Sequence, residues 1–315
     1  MNREGTQVRR RLPSTSRSAL THWLVGLAAT LLLTASAAAV IIETGDGTGN
    51  TSAPVGDDPG FGYVGVAGGA TGVYLRNGWV LTANHVATGG TFLLDGVQYT
   101  EIPGSATRIS NGDGTWADLK VFQLSVDPGL PALAIRDNPA LPSGVVYMIG
   151  RGTDRGASTD SDDPTVWTNP PPPLPSPPIE GFKWAGTRTV RWGTNIVEGE
   201  YPYASLGTYN IYTTFDPPPD TSDESQGANG DSGGAVFAVD EGVWELAGIM
   251  LYVANYPGQF GNTSSLYAND TISADLSYYR QEILAATAVP EPSGRLMLAA
   301  GAVFLAVIGR GRIRP

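Results

Sequence analysis

The chain has 315 residues, 41% of them apolar, enough to bury a core for one two-lobed domain or two small ones. It has no cysteine, which excludes disulfides and thiolate metal sites. Its 30 Asp and Glu against 19 Lys and Arg leave a net charge of −11, and residues 40 to 287 carry 28 acids against 10 bases; a surface of that sign repels nucleic acid and anionic membranes.

At the N-terminus, Arg9, Arg10, Arg11 and Arg17 precede an apolar stretch from Trp23 to Leu33 that is too short to span a bilayer. Small residues follow, and Ala35-Ser36-Ala37 and Ala37-Ala38-Ala39 both suit signal peptidase. Residues 1–39 therefore read as an export signal, with an uncleaved anchor as the alternative. Residues 40–60 are rich in Gly and Asp and read as a flexible lead-in.

Strand signals begin at Phe61, and Gly, Pro, Val and Thr predominate, as in a β-rich body over 61–288. The spacing predicts a hairpin through Thr71–Ala83, turning at Arg76-Asn77-Gly78, and another through Thr91–Ile102, turning at Asp95-Gly96. Ala117–Leu124 is a third strand signal, and these pieces make a first half over about 61–135. The second half, about 136–288, opens with apolar runs at 131–137 and 143–152. An insertion at 158–178, whose Pro-rich part is 168–178, is expected to be exposed and partly polyproline II. Alternating positions resume over 181–197 and 210–216, and 235–253 reads as a hairpin turning at Asp240-Glu241-Gly242. Leu276, Tyr279, Ile283 and Leu284 have helical spacing.

The C-terminal stretch 289–315 has a different composition. Pro290-Glu291-Pro292 precedes an apolar run over 296–309 and then Arg310, Arg312 and Arg314. At about 1.5 Å per residue such a helix falls short of the ~30 Å bilayer core. The pattern resembles the PEP-CTERM sorting signal of Gram-negative bacteria, which implies a transmembrane helix, a cytoplasmic basic tail and an exosortase acting near the tripeptide. A retained anchor is the alternative. The acidic loop residues Asp160, Asp162 and Asp163 do not make a complete Ca²⁺-ligand pattern and read as solvated.

The most informative run is residues 227–236, in which Ser232 stands between Gly230-Asp231 and Gly233-Gly234. Glycines let the backbone turn sharply and bring N–H groups close to a ligand. A serine hydroxyl needs a neighbouring base to act as a nucleophile. His85, in Trp79–Ala87, is the one histidine outside the N-terminal segment, so the base is decided by elimination. An acid to orient it is available at Asp118, at the head of an apolar strand, with Asp113 as rival in a Gly-rich turn.

The order His85, Asp118, Ser232 and the motifs around them resemble the chymotrypsin-like serine proteases over roughly residues 60–285. That resemblance implies an all-β fold of two antiparallel six-stranded barrels with a short C-terminal helix. It also implies a triad of His85, Asp118 and Ser232, and an oxyanion hole from the backbone N–H groups of Gly230 and Ser232. No cofactor or metal is implied, and the partners are protein or peptide substrates. Gln226, Leu251, Tyr252 and Val253 fall where the family lines its substrate pocket. Gln226 stands where preference for basic residues would need an acid, and Val253 replaces a glycine, so a small or medium apolar side chain is expected there. Asp231 matches an acid that, in animal enzymes, pairs with a new N-terminal amine, and cleavage after Ala39 would expose Val40-Ile41-Ile42 for such a role. The competing class is a catalytically idle matrix or adhesion protein on the same fold; a membrane-anchored protease is the third.

Overall fold

The computed structural model describes residues 40–139, 141–167, 177–201, 207–218, 221–261 and 263–288. The expected signal at 1–39, the sorting motif Pro290-Glu291-Pro292, the helix at 296–309 and most of the proline-rich insertion lie outside these. Among the described residues no helix is long and apolar enough to cross a membrane.

The chain enters through a two-residue strand, β1 (Ile41–Ile42). Seven strands follow: β2 (Val64–Ala67), β3 (Ala70–Arg76), β4 (Trp79–Ala83), β5 (Thr91–Leu94), β6 (Val97–Thr100), β7 (Thr107–Ser110) and β8 (Trp116–Gln123). They form one antiparallel sheet in the order β6-β5-β2-β3-β4-β8-β7. The hairpins turn where the sequence says. Asn77 and Gly78, and Asp95 and Gly96, all have positive φ, the conformation a tight two-residue hairpin requires.

This first lobe is not the closed six-stranded barrel expected. β7 pairs along β8 as far as Val121, so only the end of β8 is left for the chain beyond β6. The sheet curls until Ile102 N–H reaches Gln123 O at 2.7 Å and Ser125 N–H reaches Thr100 O at 2.8 Å, with a single bridge between Glu101 and Leu124.

The second lobe contains β9 (Val145–Gly150), β10 (Arg155–Asp160), β11 (Glu180–Trp184), β12 (Arg191–Tyr201), β13 (Asn210–Thr214), β14 (Ser225–Gln226), β15 (Ala235–Asp240), β16 (Val243–Ala254), β17 (Ser264–Leu266) and β18 (Asp270–Asp275). Six of them close a barrel, β12-β13-β18-β16-β15-β9. The turn between β15 and β16 again puts positive φ at Glu241 and Gly242. Helix α1 (Leu276–Ala286) ends the described chain; Asp275 caps it by accepting Ser277 N–H at 3.0 Å, and Leu276, Tyr279 and Ile283 are its buried face. One closed six-stranded barrel, a curled sheet and a short terminal helix make an all-β fold.

A three-stranded sheet, β10-β11-β17, flanks the barrel. The start of the proline-rich insertion belongs to it, because Ser158–Asp160 lie in β10 and Val166 and Trp167 bury against Leu266. The apolar pair precedes the proline run that begins at Pro170 and finds a nonlocal partner in Leu266.

Residues 40–60 also depart from expectation. They do not trail from the body. Ile41 and Ile42 pair with Gln226 and Ser225, and Val40 and Ile42 enter the core cluster of the closed barrel with Met148, Val236 and Met250. Arg155 lies over the Phe182 ring and donates to the carbonyls of Ile42, Glu43 and Gly45. Farther along, Trp192 Nε1 donates to Ser52 O at 2.8 Å and Trp244 Nε1 to Asp57 Oδ1 at 2.6 Å. The apolar triplet supplies burial, while the Arg155 guanidinium and the Trp192 indole satisfy backbone carbonyls behind it and the Trp244 indole binds the Asp57 carboxylate. Ile42→Ala is expected to cost about 2–5 kcal/mol of unfolding free energy. Urea denaturation checks this; an unchanged midpoint would mean that the lead-in is not part of the core.

Candidate active site

β4 and β8 pair in a register that ends at Ala83 and Leu119. Beyond that pair the chain leaves β4 through a tight turn, with Asn84 N–H on Asp118 O at 3.0 Å and Val86 N–H on Ala83 O at 3.1 Å. The turn lifts His85 over the neighbouring strand, where Asp118 is the next residue. His85 Nδ1 lies 2.6 Å from Asp118 Oδ2, and His85 N–H donates to Asp118 Oδ1 at 3.0 Å. The carboxylate is buried, whereas the imidazole side chain is 41% exposed. Asp113 is occupied elsewhere: its Oδ1 accepts the N–H and hydroxyl of Thr115.

Asp118 has a third donor that the sequence did not reveal. The Tyr252 hydroxyl donates to Asp118 Oδ2, and the Tyr252 ring stacks on the His85 ring with centroids 5.4 Å apart. Burial works to raise the Asp118 pKa, but the bonds from His85 and Tyr252 and the imidazole charge outweigh it and hold the carboxyl below its usual range. Burial and the bond to that carboxylate push the Tyr252 phenol up.

Ser232 sits on a turn whose backbone bonds are Asp231 N–H to Ala228 O at 3.0 Å and Gly234 N–H to Asp231 O at 2.7 Å. Gly230 and Gly233 have φ of 103° and 87°. At Gly233 a Cβ would overlap the Thr71 carbonyl oxygen, so both conformation and space demand glycine. Thr71, on β3 of the other lobe, holds the turn: its N–H donates to Ser232 O at 3.1 Å and its hydroxyl to Gly230 O at 2.8 Å. Among the described residues the N–H groups of Gly230 and Ser232 have no acceptor. The Ser232 hydroxyl donates to Leu251 O at 3.3 Å, a long contact for O–H to O.

Ser232 and His85 line one cleft of about 580 Å³. Leu251, Tyr252 and Val253 line it too; Gln226 does not. Gln226 is fully buried in β14 against β1, and among the described residues its amide has no hydrogen-bond partner. Arg188, which sequence reasoning passed over, also lines the cleft.

Asp231, next to the nucleophile, is also among the residues that line the cleft. It is buried, one oxygen accepts Ala228 N–H at 2.7 Å, and a side chain at Gly150 or Gly152 would overlap it. Burial raises its pKa to about 7, partly offset by the N–H groups of Ala228, Gly152 and Val40 and by the Arg188 charge. No set of three His, Asp or Glu side chains converges on a metal position among the described residues; Asp163 instead pairs with Lys183 at 2.7 Å.

No family model matches the chain, and no curated protein matches it. Among solved structures it is similar to an HtrA-type protease, AlgW, with decapeptide, at 17% identity and a TM-score of 0.40, over 69% of this chain and 51% of that one. The chain thus spans about half the length of that protein.

Because its folded pKa is depressed, Asp118 contributes stability above its unfolded value of about 3.9, and that contribution is lost as pH falls through the folded pKa. Tyr252→Phe removes one cause of the depression. It is expected to destabilise the fold by about 1–2 kcal/mol at neutral pH. The difference from wild type should shrink below about pH 4. Paired urea titrations across that range check it; a difference independent of pH would mean that the hydroxyl does not act on Asp118.

Proposed function

We propose that the chain is an exported serine endopeptidase. The observation that carries this reading is the His85–Asp118 pair sharing a cleft with Ser232, which stands on a glycine turn with two N–H groups free of acceptors beside it. In this reading Ser232 turns its hydroxyl from Leu251 O toward the imidazole and attacks the scissile carbonyl. His85 takes the proton and returns it to the leaving amine. Asp118 fixes the tautomer, leaving the other ring nitrogen to act as base, and stabilises the imidazolium. The N–H groups of Gly230 and Ser232 receive the negative charge that develops on the carbonyl oxygen. Loss of one such donor typically costs ~2.7–4 kcal/mol in the transition state. Water then cleaves the acyl-enzyme by the same steps. The acyl half of the substrate lies along Leu251–Val253, the free edge of the cleft.

Export rests on the sequence of 1–39, and sorting at the envelope of a Gram-negative cell rests on 289–315. Signal peptidase and an exosortase are the processing partners in this reading, and the final location is secreted or bound to the cell surface.

A fluorophosphonate probe is expected to label wild type and not Ser232→Ala. With Asp118→Asn the labelling rate should fall by about 10³–10⁴. Gel fluorescence measures both, and absence of labelling in wild type at mildly alkaline pH would favour an idle scaffold.

Signal removal after Ala39 would place the new ammonium of Val40 beside Asp231, whose buried carboxyl otherwise lacks a cation in ion-pair contact among the described residues. With the preceding peptide bond intact, the raised pKa means that the folded state holds a proton that the unfolded state has released. Stability of that form should therefore fall as pH rises from about 4 to about 7. The chain beginning at Val40 should lose less over the same window, because the ammonium favours the carboxylate. Melting temperatures of the two forms test this, alongside mass spectrometry of the mature N-terminus; a terminus at Ala38 or beyond Ile42 would count against the idea.

A further inference from the structure

In a body with 28 acids and 10 bases, the cleft lining is not acidic: it holds one Asp and no Glu, against one Arg and His85. Its one lining carboxylate is the buried Asp231, while Arg188 presents a guanidinium. Arg188 Nη1 donates to Gly69 O at 2.7 Å and Nη2 to Asn229 Oδ1 at 2.5 Å. That position is against the nucleophile turn: a Cβ built on Gly230 would stand 3.0 Å from Arg188 Nη1. Arg151 reaches toward the same Gly69 O with its own Nη1 at 3.5 Å. Two guanidiniums thus converge on one carbonyl. Burial, and then the charge of Arg188, hold Arg151 below its ordinary pKa, with the charge of Asp154 acting the other way. Among the described residues neither has a carboxylate at ion-pair distance.

Two like charges held together at a partly dry surface are unfavourable unless an anion joins them. Each guanidinium has five donors in a planar fork, and Arg188 uses two bonds, so donors remain for a ligand. A planar anion suits that fork. Both guanidiniums approach Gly69, next to the β3 residue Thr71 that binds the carbonyls of Gly230 and Ser232, whereas the Ser232 hydroxyl is turned to Leu251 O; the pair thus belongs to the β3 side of the nucleophile turn and Leu251–Val253 to the other. If the acyl half of a substrate follows Leu251–Val253, the leaving half passes Arg188.

We propose that Arg188 and Arg151 form a carboxylate subsite on the leaving-group side, so that the preferred substrates carry Asp or Glu at the first or second position after the scissile bond. This rests on the endopeptidase reading for its side of the cleft, though not for the existence of the anion site. The carboxylate belongs to a side chain; a free chain terminus at the same distance offers the same chemistry and is separated by the test.

The test uses the secreted full chain and quenched fluorescent peptides that differ only in Asp against Asn, or Glu against Gln, at those two positions, with rates expressed per probe-titrated Ser232. The acid should be favoured by about three- to tenfold in kcat/KM, and the preference should shrink in high salt. Arg188→Glu should abolish or invert the preference for acid over amide, and Arg151→Gln should weaken it. Equal rates on acid and amide at both positions, or a preference that survives Arg188→Glu, overturns the proposal. Peptides ending at the second position, free or amidated, separate the sources: a gain confined to the free terminus overturns the side-chain assignment. Binding of the same peptides to Ser232→Ala, measured by fluorescence anisotropy, needs no turnover. An Asp-over-Asn preference there that Arg188→Glu abolishes supports the subsite even when wild type takes no probe and the endopeptidase reading fails; no preference overturns it.

Discussion

Thr71 is where the two lobes are joined at the nucleophile turn. Its hydroxyl donates to Gly230 O and accepts Arg151 N–H at 2.8 Å, its N–H donates to Ser232 O, and its carbonyl accepts the Thr82 hydroxyl at 2.7 Å. Every polar atom of one buried residue is therefore committed, across three segments far apart in sequence. Such saturation leaves few alternative positions for the turn, because shifting it would strand several buried groups at once. Gly233 is the steric counterpart, admitting the Thr71 carbonyl where any side chain would exclude it.

A second tie lies on the other side of the histidine. Asp118 N–H donates to the Thr208 hydroxyl at 3.0 Å, Asn111 Nδ2 to Gly207 O at 3.0 Å, and the hydroxyl of Tyr279 on α1 to Asn111 Oδ1 at 2.9 Å. The terminal helix thus braces the strand that bears Asp118, although it lies far from the cleft. Geometry at the imidazole depends on this chain of side-chain bonds as well as on the β4–β8 register.

The two buried acids of the site sit in opposite electrostatic settings. Asp118 has an imidazole, a phenol and a backbone N–H around it, and stays ionised. Asp231 has backbone N–H groups and a distant guanidinium, too little to offset burial, and its pKa rises to about 7. The difference is one of donors rather than depth. The buried N-terminal segment takes part in this setting, because the Val40 N–H is one of the groups that lower the Asp231 pKa.

Local signals were legible in the sequence. Turns at Asn77-Gly78 and Asp95-Gly96 follow from backbone preference over two residues, α1 from a 3.6-residue period, and the Ser232 turn from glycines that only close approach requires. These depend on neighbours a few positions apart, so the chain alone determines them. Tertiary structure alone decided the rest: the curled first sheet, the flanking β10-β11-β17 sheet, the burial of Val40–Ile42, the placement of Gln226 outside the cleft, the Tyr252–Asp118 bond and the meeting of Arg151 with Arg188. Each joins groups tens to nearly two hundred residues apart, and a side chain's type states which bonds it can make but not which distant partner the folded backbone will bring to it.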